Sequence, residues 1–225
     1  VNYLNPPPLI AIGLALLGFV SLSAAAEVQI RAQGPDRQPL AGLVLWLQPQ
    51  NDTSSAATAP AIPAMPWVMD QVDMQFEPEV LVVPVNARVS FPNSDKVAHQ
   101  VYSFSPAKRF SLGLYRGKRY PPVDFSKPGL VVLGCNIHDA MVGYIYVAES
   151  PYSGKSDESG SLQLSGVPAG NYLVKAWSPR FKGEDAETLS SITVKANDVQ
   201  VHTLAIRSSL SPERPKLVRP KGLHY

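Results

Sequence analysis

The sequence predicts an all-β protein, and three observations carry the prediction. It holds 22 prolines in 225 residues, a density that interrupts helices. Its apolar residues come in short alternating runs, such as EVQIRAQ (27–33) and VQVHTLAI (199–206). Turn residues separate those runs, and no stretch of useful length repeats apolar residues at helical spacing.

Residues 1–26 carry no charged side chain, and the apolar run LIAIGLALLGFVSLS is followed by small alanines. That pattern predicts a secretory signal cleaved after Ala26, and so an exported, periplasmic protein without stable membrane insertion. An uncleaved anchor from Leu9 to Ala26 is the alternative. EVQIRAQ and GLVLWLQP (42–49), joined by the turn-rich GPDRQPLA, predict a β-hairpin within 27–50. Residues 51–66, rich in Ala, Ser, Thr and Pro, have linker composition.

A second texture spans 67–150. MQFEPEVLVVPVNARVSFPNSD (74–95) predicts two strands with Asn86 in the turn between them. HQVYSF (99–104) predicts another strand, and 105–122 a long polar and aromatic excursion. VDFSKPGLVVLGC (123–135) turns at Pro128-Gly129 and rises to a cysteine, and MVGYIYVAE (141–149) returns. A third texture, 151–207, predicts strands near 161–165, 171–177, 188–195 and 198–206. Short strands at such spacing imply sandwiches or barrels.

Charge excludes little except nucleic-acid binding. Residues 207–225 hold a net +4 and the rest of the chain −2. The basic, Pro-interrupted segment 208–225 has little apolar surface to bury and predicts a disordered tail.

The chemistry concentrates in GCNIHDAMVGYIYV (134–147). Cys135 is the one cysteine of the sequence, and an exported protein with a single thiol cannot form an internal disulfide. His138 and Met141 follow at intervals of three. Thiolate, imidazole and thioether on one tight loop form the ligand set of a type 1 copper site, once a second imidazole joins them. His99, after FPNSDKVA at the start of a strand, is the candidate for that place. His202 in an alternating strand and His224 in the tail read as structural or solvated residues. Zinc is disfavoured by the thioether. A dinuclear copper site would need a second cysteine, a Cys–His hydrolase a third orienting group, and a copper oxidase or nitrite reductase further histidines. The sequence therefore predicts one copper ion and no enzyme.

FEPEVLVVPVNARVSFPNSDKVAHQV followed by GLVVLGCNIHDAMVGYIYV resembles the cupredoxins, which include plastocyanin, pseudoazurin and amicyanin. The resemblance covers roughly 67–149 and implies a Greek-key β-sandwich with His99, Cys135, His138 and Met141 as copper ligands. The wider layout looks like periplasmic proteins described as methylamine-utilisation or plastocyanin-like. Gln100 stands where many cupredoxins have Asn, and Asn86 where they have a turn glycine. The family likeness also implies outer-sphere electron transfer with a redox protein, a c-type cytochrome or a dehydrogenase, through the edge of His138. Ile137, Ala140 and Val142 would supply part of the apolar patch around that edge, or else pack as ordinary hairpin residues. A module for copper storage, delivery or sensing, and a structural β-protein with a vestigial site, are the alternatives.

VQIRAQGPDRQPLAGLVLWLQP and SDESGSLQLSGVPAGNYLVKAWSP resemble successive parts of carboxypeptidase-regulatory-like (transthyretin-like) β-sandwich domains. That likeness implies one such domain split between its second and third strands by the cupredoxin, with Trp46, Tyr172 and Trp177 in the core.

Overall fold

The computed structural model describes residues 25–50, 66–117, 120–182 and 186–214. Every regular element among them is a strand. Two precede the central unit, β1 (Ala26–Gln33) and β2 (Val44–Pro49). The central unit contributes β3 (Trp67–Val68), β4 (Asp70–Val72), β5 (Gln75–Glu77), β6 (Val80–Pro84), β7 (Ala87–Ser90), β8 (His99–Ser103), β9 (Phe110–Tyr115), β10 (Val123–Phe125), β11 (Gly129–Gly134) and β12 (Val142–Ala148). After it come β13 (Ser153–Lys155), β14 (Ser161–Val167), β15 (Gly170–Trp177), β16 (Glu187–Val194) and β17 (Val199–Ala205).

The strands flanking the central unit pair with one another. One sheet runs β14-β1-β17 and its partner β13-β2-β15-β16. β2 lies antiparallel to β15 with Trp46 opposite Lys175, so residues 44–49 and 170–177 share a sheet. Val28, Ile30 and Ala32 face Leu45, Leu47, Tyr172 and Val174 across this core. The central unit forms a second sandwich, β10-β7-β3 against β6-β12-β11-β8-β9. Its core is built on Phe76, Val89, Phe91, Phe125, Leu133 and Ile145.

Strand alternation gives the middle two sheets a second apolar face, since successive side chains point to opposite sides. Val44 and Trp46 on β2, with Trp177 on β15, meet Val80, Val132, Val142, Tyr144 and Tyr146 of the central unit. Trp177 lies edge-on to Tyr144, ring centroids 5.5 Å apart, and stacks on Tyr146 at 6.0 Å. The four sheets therefore stack in layers, with Trp46 and Trp177 packed between the sandwiches and Tyr172 in the outer core.

Three expectations need correction. β1 and β2 do not form a hairpin; they lie in opposite sheets. Both offer alternating apolar residues to one core, a pattern common to a hairpin and to a chain that crosses a sandwich. Here Leu40 and Leu43 are themselves buried as the chain crosses. The stretch 105–122 contains β9, whose inward residues Phe110, Leu112 and Tyr115 are spaced two and then three apart by a bulge opposite His99 and Val101, which hides the alternation. Residues 208–214 of the supposed tail are held in place: Leu210 bridges to Phe181, and Arg180 reaches the Ser211 carbonyl and the Glu213 carboxylate. Residues 1–24, 51–65 and 215–225, including His224, lie outside the described residues. Among those described, no helix is long and apolar enough to cross a membrane.

Candidate metal centre

The loop from β11 to β12 is two β-turns in series. The His138 amide donates to the Cys135 carbonyl at 3.4 Å, and the Met141 amide to the His138 carbonyl at 2.8 Å. A β-turn closes on its fourth residue, so a spacing of three places Cys135, His138 and Met141 at the ends of successive turns, all at one end of the sandwich. The last paired residues below the loop are Gly134 and Val142. Gly134 has a local reason: a Cβ there would sit 2.8 Å from the ring of Tyr102 on β8, so glycine leaves the space that the ring fills.

His99 begins β8, opposite Tyr115 of β9. Its ring is fully buried, Cys135 is nearly so, and His138 is half-buried. His99 Nδ1 and His138 Nδ1 lie 3.1 Å apart, and Cys135 Sγ is 3.9 and 3.7 Å from them. A triangle with those sides has its centre about 2.1 Å from each corner, the distance at which a transition metal holds imidazole nitrogen and close to that for thiolate sulfur. The donors thus fit one ion, and the site could hold copper, which a thiolate with two imidazoles suits. Met141 is buried in the same core cluster as Cys135, at the end of the second turn.

The surroundings prepare these groups for a metal. Burial alone would push the Cys135 thiol up, but hydrogen bonds from His99, from the Gln100 and Ile137 amides and from His138 bring it down to about 6. His99 is raised: burial opposes its protonation, while Cys135 and Asp95 more than offset that. The Gln100 side chain bonds Ser111 on β9 rather than tying the two ligand loops, so Gln100 reaches the site through its amide.

Sequence reasoning assigned no role to Asp95. Its carboxylate lies 2.9 Å from His99 Nε2 and is buried with it. It also accepts the Met74 amide at 2.8 Å and the Lys96 amide at 2.6 Å, and its own amide bonds Asn93 Oδ1. Burial would raise this carboxyl, but the bonds from His99, Met74 and Lys96 hold it down at about 2. An ionised partner on Nε2 places the proton there and leaves Nδ1 free to bind a metal, the carboxylate–histidine arrangement common at metal sites. A carboxylate four residues before a candidate histidine ligand was the available signal.

The proposed apolar patch is only partly assembled. Ile137 is half exposed (50%) and Ala140 is exposed. Val142, the third expected member, is instead half-buried against the Trp177 cluster, because alternation along β12 turns it to the face that the other sandwich covers.

In the central unit a parallel β6–β12 pair closes one side of a five-stranded sheet that faces three shorter strands, with the His–Cys–His group on the loops at one end. Its fold is cupredoxin-like.

Several solved structures are similar to this chain. A Cu-containing nitrite reductase from Thermus scotoductus SA-01 is 31% identical, with a TM-score of 0.36, over 38% of this chain and 23% of that one. The similarity to it thus spans under a quarter of that chain's length. A point mutant of amicyanin in its reduced Cu(I) form is 22% identical (TM-score 0.34) over 40% of this chain and 89% of its own. A purple cupredoxin from Nitrosopumilus maritimus is 22% identical (TM-score 0.31) over 36% and 99%. No protein-family model and no curated protein matches the sequence.

Proposed function

We propose that this chain is an exported copper protein that carries single electrons and is not itself an enzyme. His99, Cys135, His138 and Met141 would hold the ion. The observation that carries the reading is the donor triangle, sized for one ion and formed from side chains already buried and hydrogen-bonded. The bound ion would supply a one-electron couple. The residues supply what makes that couple useful. Asp95 and the paired turns hold the donors in place, and amides from Gln100 and Ile137 donate to the sulfur, a contact that tunes the potential of such centres. The charge-free segment 1–26 supports export, and the partner expected is a c-type cytochrome or a dehydrogenase.

The test is a visible spectrum of the purified protein titrated with Cu(II), beside Cys135→Ser. An intense thiolate-to-copper band at one equivalent, absent from the variant, followed by reversible reduction and reoxidation, is expected. A protein that stays colourless, or is coloured equally in C135S, would overturn the assignment. A coloured protein that yields its copper rapidly to chelators without reversible cycling would turn it to storage or delivery.

A further inference from the structure

The outward face of the five-stranded sheet is divided in two. Over β6, β12 and β11 it is buried against the outer sandwich through Val80, Val132, Tyr144 and Tyr146. Over β8 and β9 the same face continues and carries the exposed side chains Phe104 and Leu114. His99, Val101 and Ser103 point inward, so Gln100, Tyr102 and Phe104 point outward. On the edge strand β9, Phe110, Leu112 and Tyr115 point inward, and Arg109, Leu114 and Arg116 are exposed around them. Phe104 is 73% and Leu114 59% exposed, large values for such side chains.

This face is basic: the described residues between Lys96 and Val123 include no Asp or Glu but four cations, Lys96, Lys108, Arg109 and Arg116. Arg109 and Arg116 are exposed and make no ion pair among the described residues.

It is also joined to the candidate centre. Tyr102 packs its ring on Gly134, the residue before Cys135, and its centroid is 5.3 Å from that of Phe104. The Gln100 amide bonds the Cys135 sulfur. A short packed path therefore runs from the thiolate to an exposed aromatic ring.

We propose that the β8–β9 face is the docking site for a one-electron redox protein with an acidic surface. Tyr102 and Gly134 would form the packed path between the partner's centre and a one-electron couple held by His99, Cys135 and His138, each centre changing by one electron in opposite senses with no bond formed or broken. This rests on the electron-carrier reading above. A basic aromatic face would also suit an anionic lipid surface, but packing against the residue next to Cys135 favours a redox partner.

Two measurements test it. On the metal-free protein, amide resonances are followed by NMR as hexacyanochromate(III) is added. Broadening should centre on Phe104, Arg109, Leu114 and Arg116 and vanish in Arg109→Glu/Arg116→Glu. Broadening confined to other surfaces would overturn the proposal, whether or not copper binds. On the copper-loaded protein, electron exchange is followed by stopped flow with an acidic and a basic c-type cytochrome, the visible spectrum serving as the fold control. R109E/R116E should slow exchange with the acidic cytochrome about tenfold at low salt, and less at high salt, without slowing the basic one. Equal rates for the wild type and the variant would overturn it. So would binding to phosphatidylglycerol vesicles that depends on Arg109 and Arg116 while the rates stay unchanged, which would assign the face to a membrane. If copper fails to bind, the electron-carrier reading falls, and the NMR result alone decides whether the face binds anions.

Discussion

Asp95 holds His99 from the side away from the thiol, Oδ2 to Nε2 at 2.9 Å, with both side chains closed off from solvent. The pair does two things. Its hydrogen bond fixes the ring orientation and tautomer, and its negative charge lies one imidazole away from the donor triangle. Positive charge at the triangle is therefore stabilised, more for Cu(II) than for Cu(I).

Asp95→Asn removes the charge and keeps an amide oxygen to accept from Nε2, at the cost of the bond that Oδ1 accepts from the Lys96 amide. Affinity for Cu(II) should fall about 10–100-fold, the usual cost of losing such a partner, and affinity for Cu(I) should fall less. The reduction potential rises as a consequence. Chelator competition in both oxidation states measures this. Equal losses in the two states would mean that Asp95 acts through geometry alone.

Gly134→Ala should destabilise the protein by about 1–3 kcal/mol, because the added methyl would sit 2.8 Å from the Tyr102 ring, which must move aside. Adding Tyr102→Ala should recover part of that loss, since the clash then has no partner. Urea unfolding of the two single variants and the double variant gives the coupling. Strict additivity would show that the strain lies elsewhere.

These two residues also show what is legible from sequence. The cysteine loop could be read because ligand chemistry and a three-residue turn period coincide in one stretch. His99 could be placed by its loop and by family likeness. Asp95 could not, since its role depends on a loop that folds back to meet the Met74 amide, 21 residues earlier. Met74 itself sits in a two-residue turn with Asp73, both at positive φ (59° and 48°), which no glycine announces. Val142 reads as a surface residue until the second sandwich is laid over β12. β1 and β2 have the alternation of a hairpin, and which core they share emerges from strands more than a hundred residues later.

The seam between the sandwiches should contribute measurably to stability. Trp177→Ala removes a nearly fully buried ring that touches Tyr144 and Tyr146, and should cost about 3–5 kcal/mol. Because that ring spans both units, the variant should unfold in two calorimetric steps where the parent unfolds in one. A single step of undiminished cooperativity would show that the seam is held by other contacts, such as Arg214 on the Tyr144 hydroxyl at 2.6 Å.

A pH effect should arise far from the metal centre, at His202. It lies on β17 opposite Ile30, and its Nε2 is buried without a hydrogen-bond partner among the described residues. Burial lowers its pKa, so the folded protein resists a proton that the unfolded chain accepts near pH 6.5. Above that pH both states carry neutral imidazole and nothing is lost. As pH falls below 6.5 the unfolded state binds more protons, and stability declines until the folded-state pKa is passed. The raised His99 acts in the opposite sense, its contribution fading as pH rises, and the lowered Cys135 adds a contribution lost as pH falls through about 6, so the total curve mixes all three. Comparing His202→Leu with the parent cancels the His99 and Cys135 parts. Urea midpoints measured from pH 8 to pH 5 should fall less steeply on the acid side in H202L, and parallel curves would mean that β17 opens enough at His202 to let the proton in.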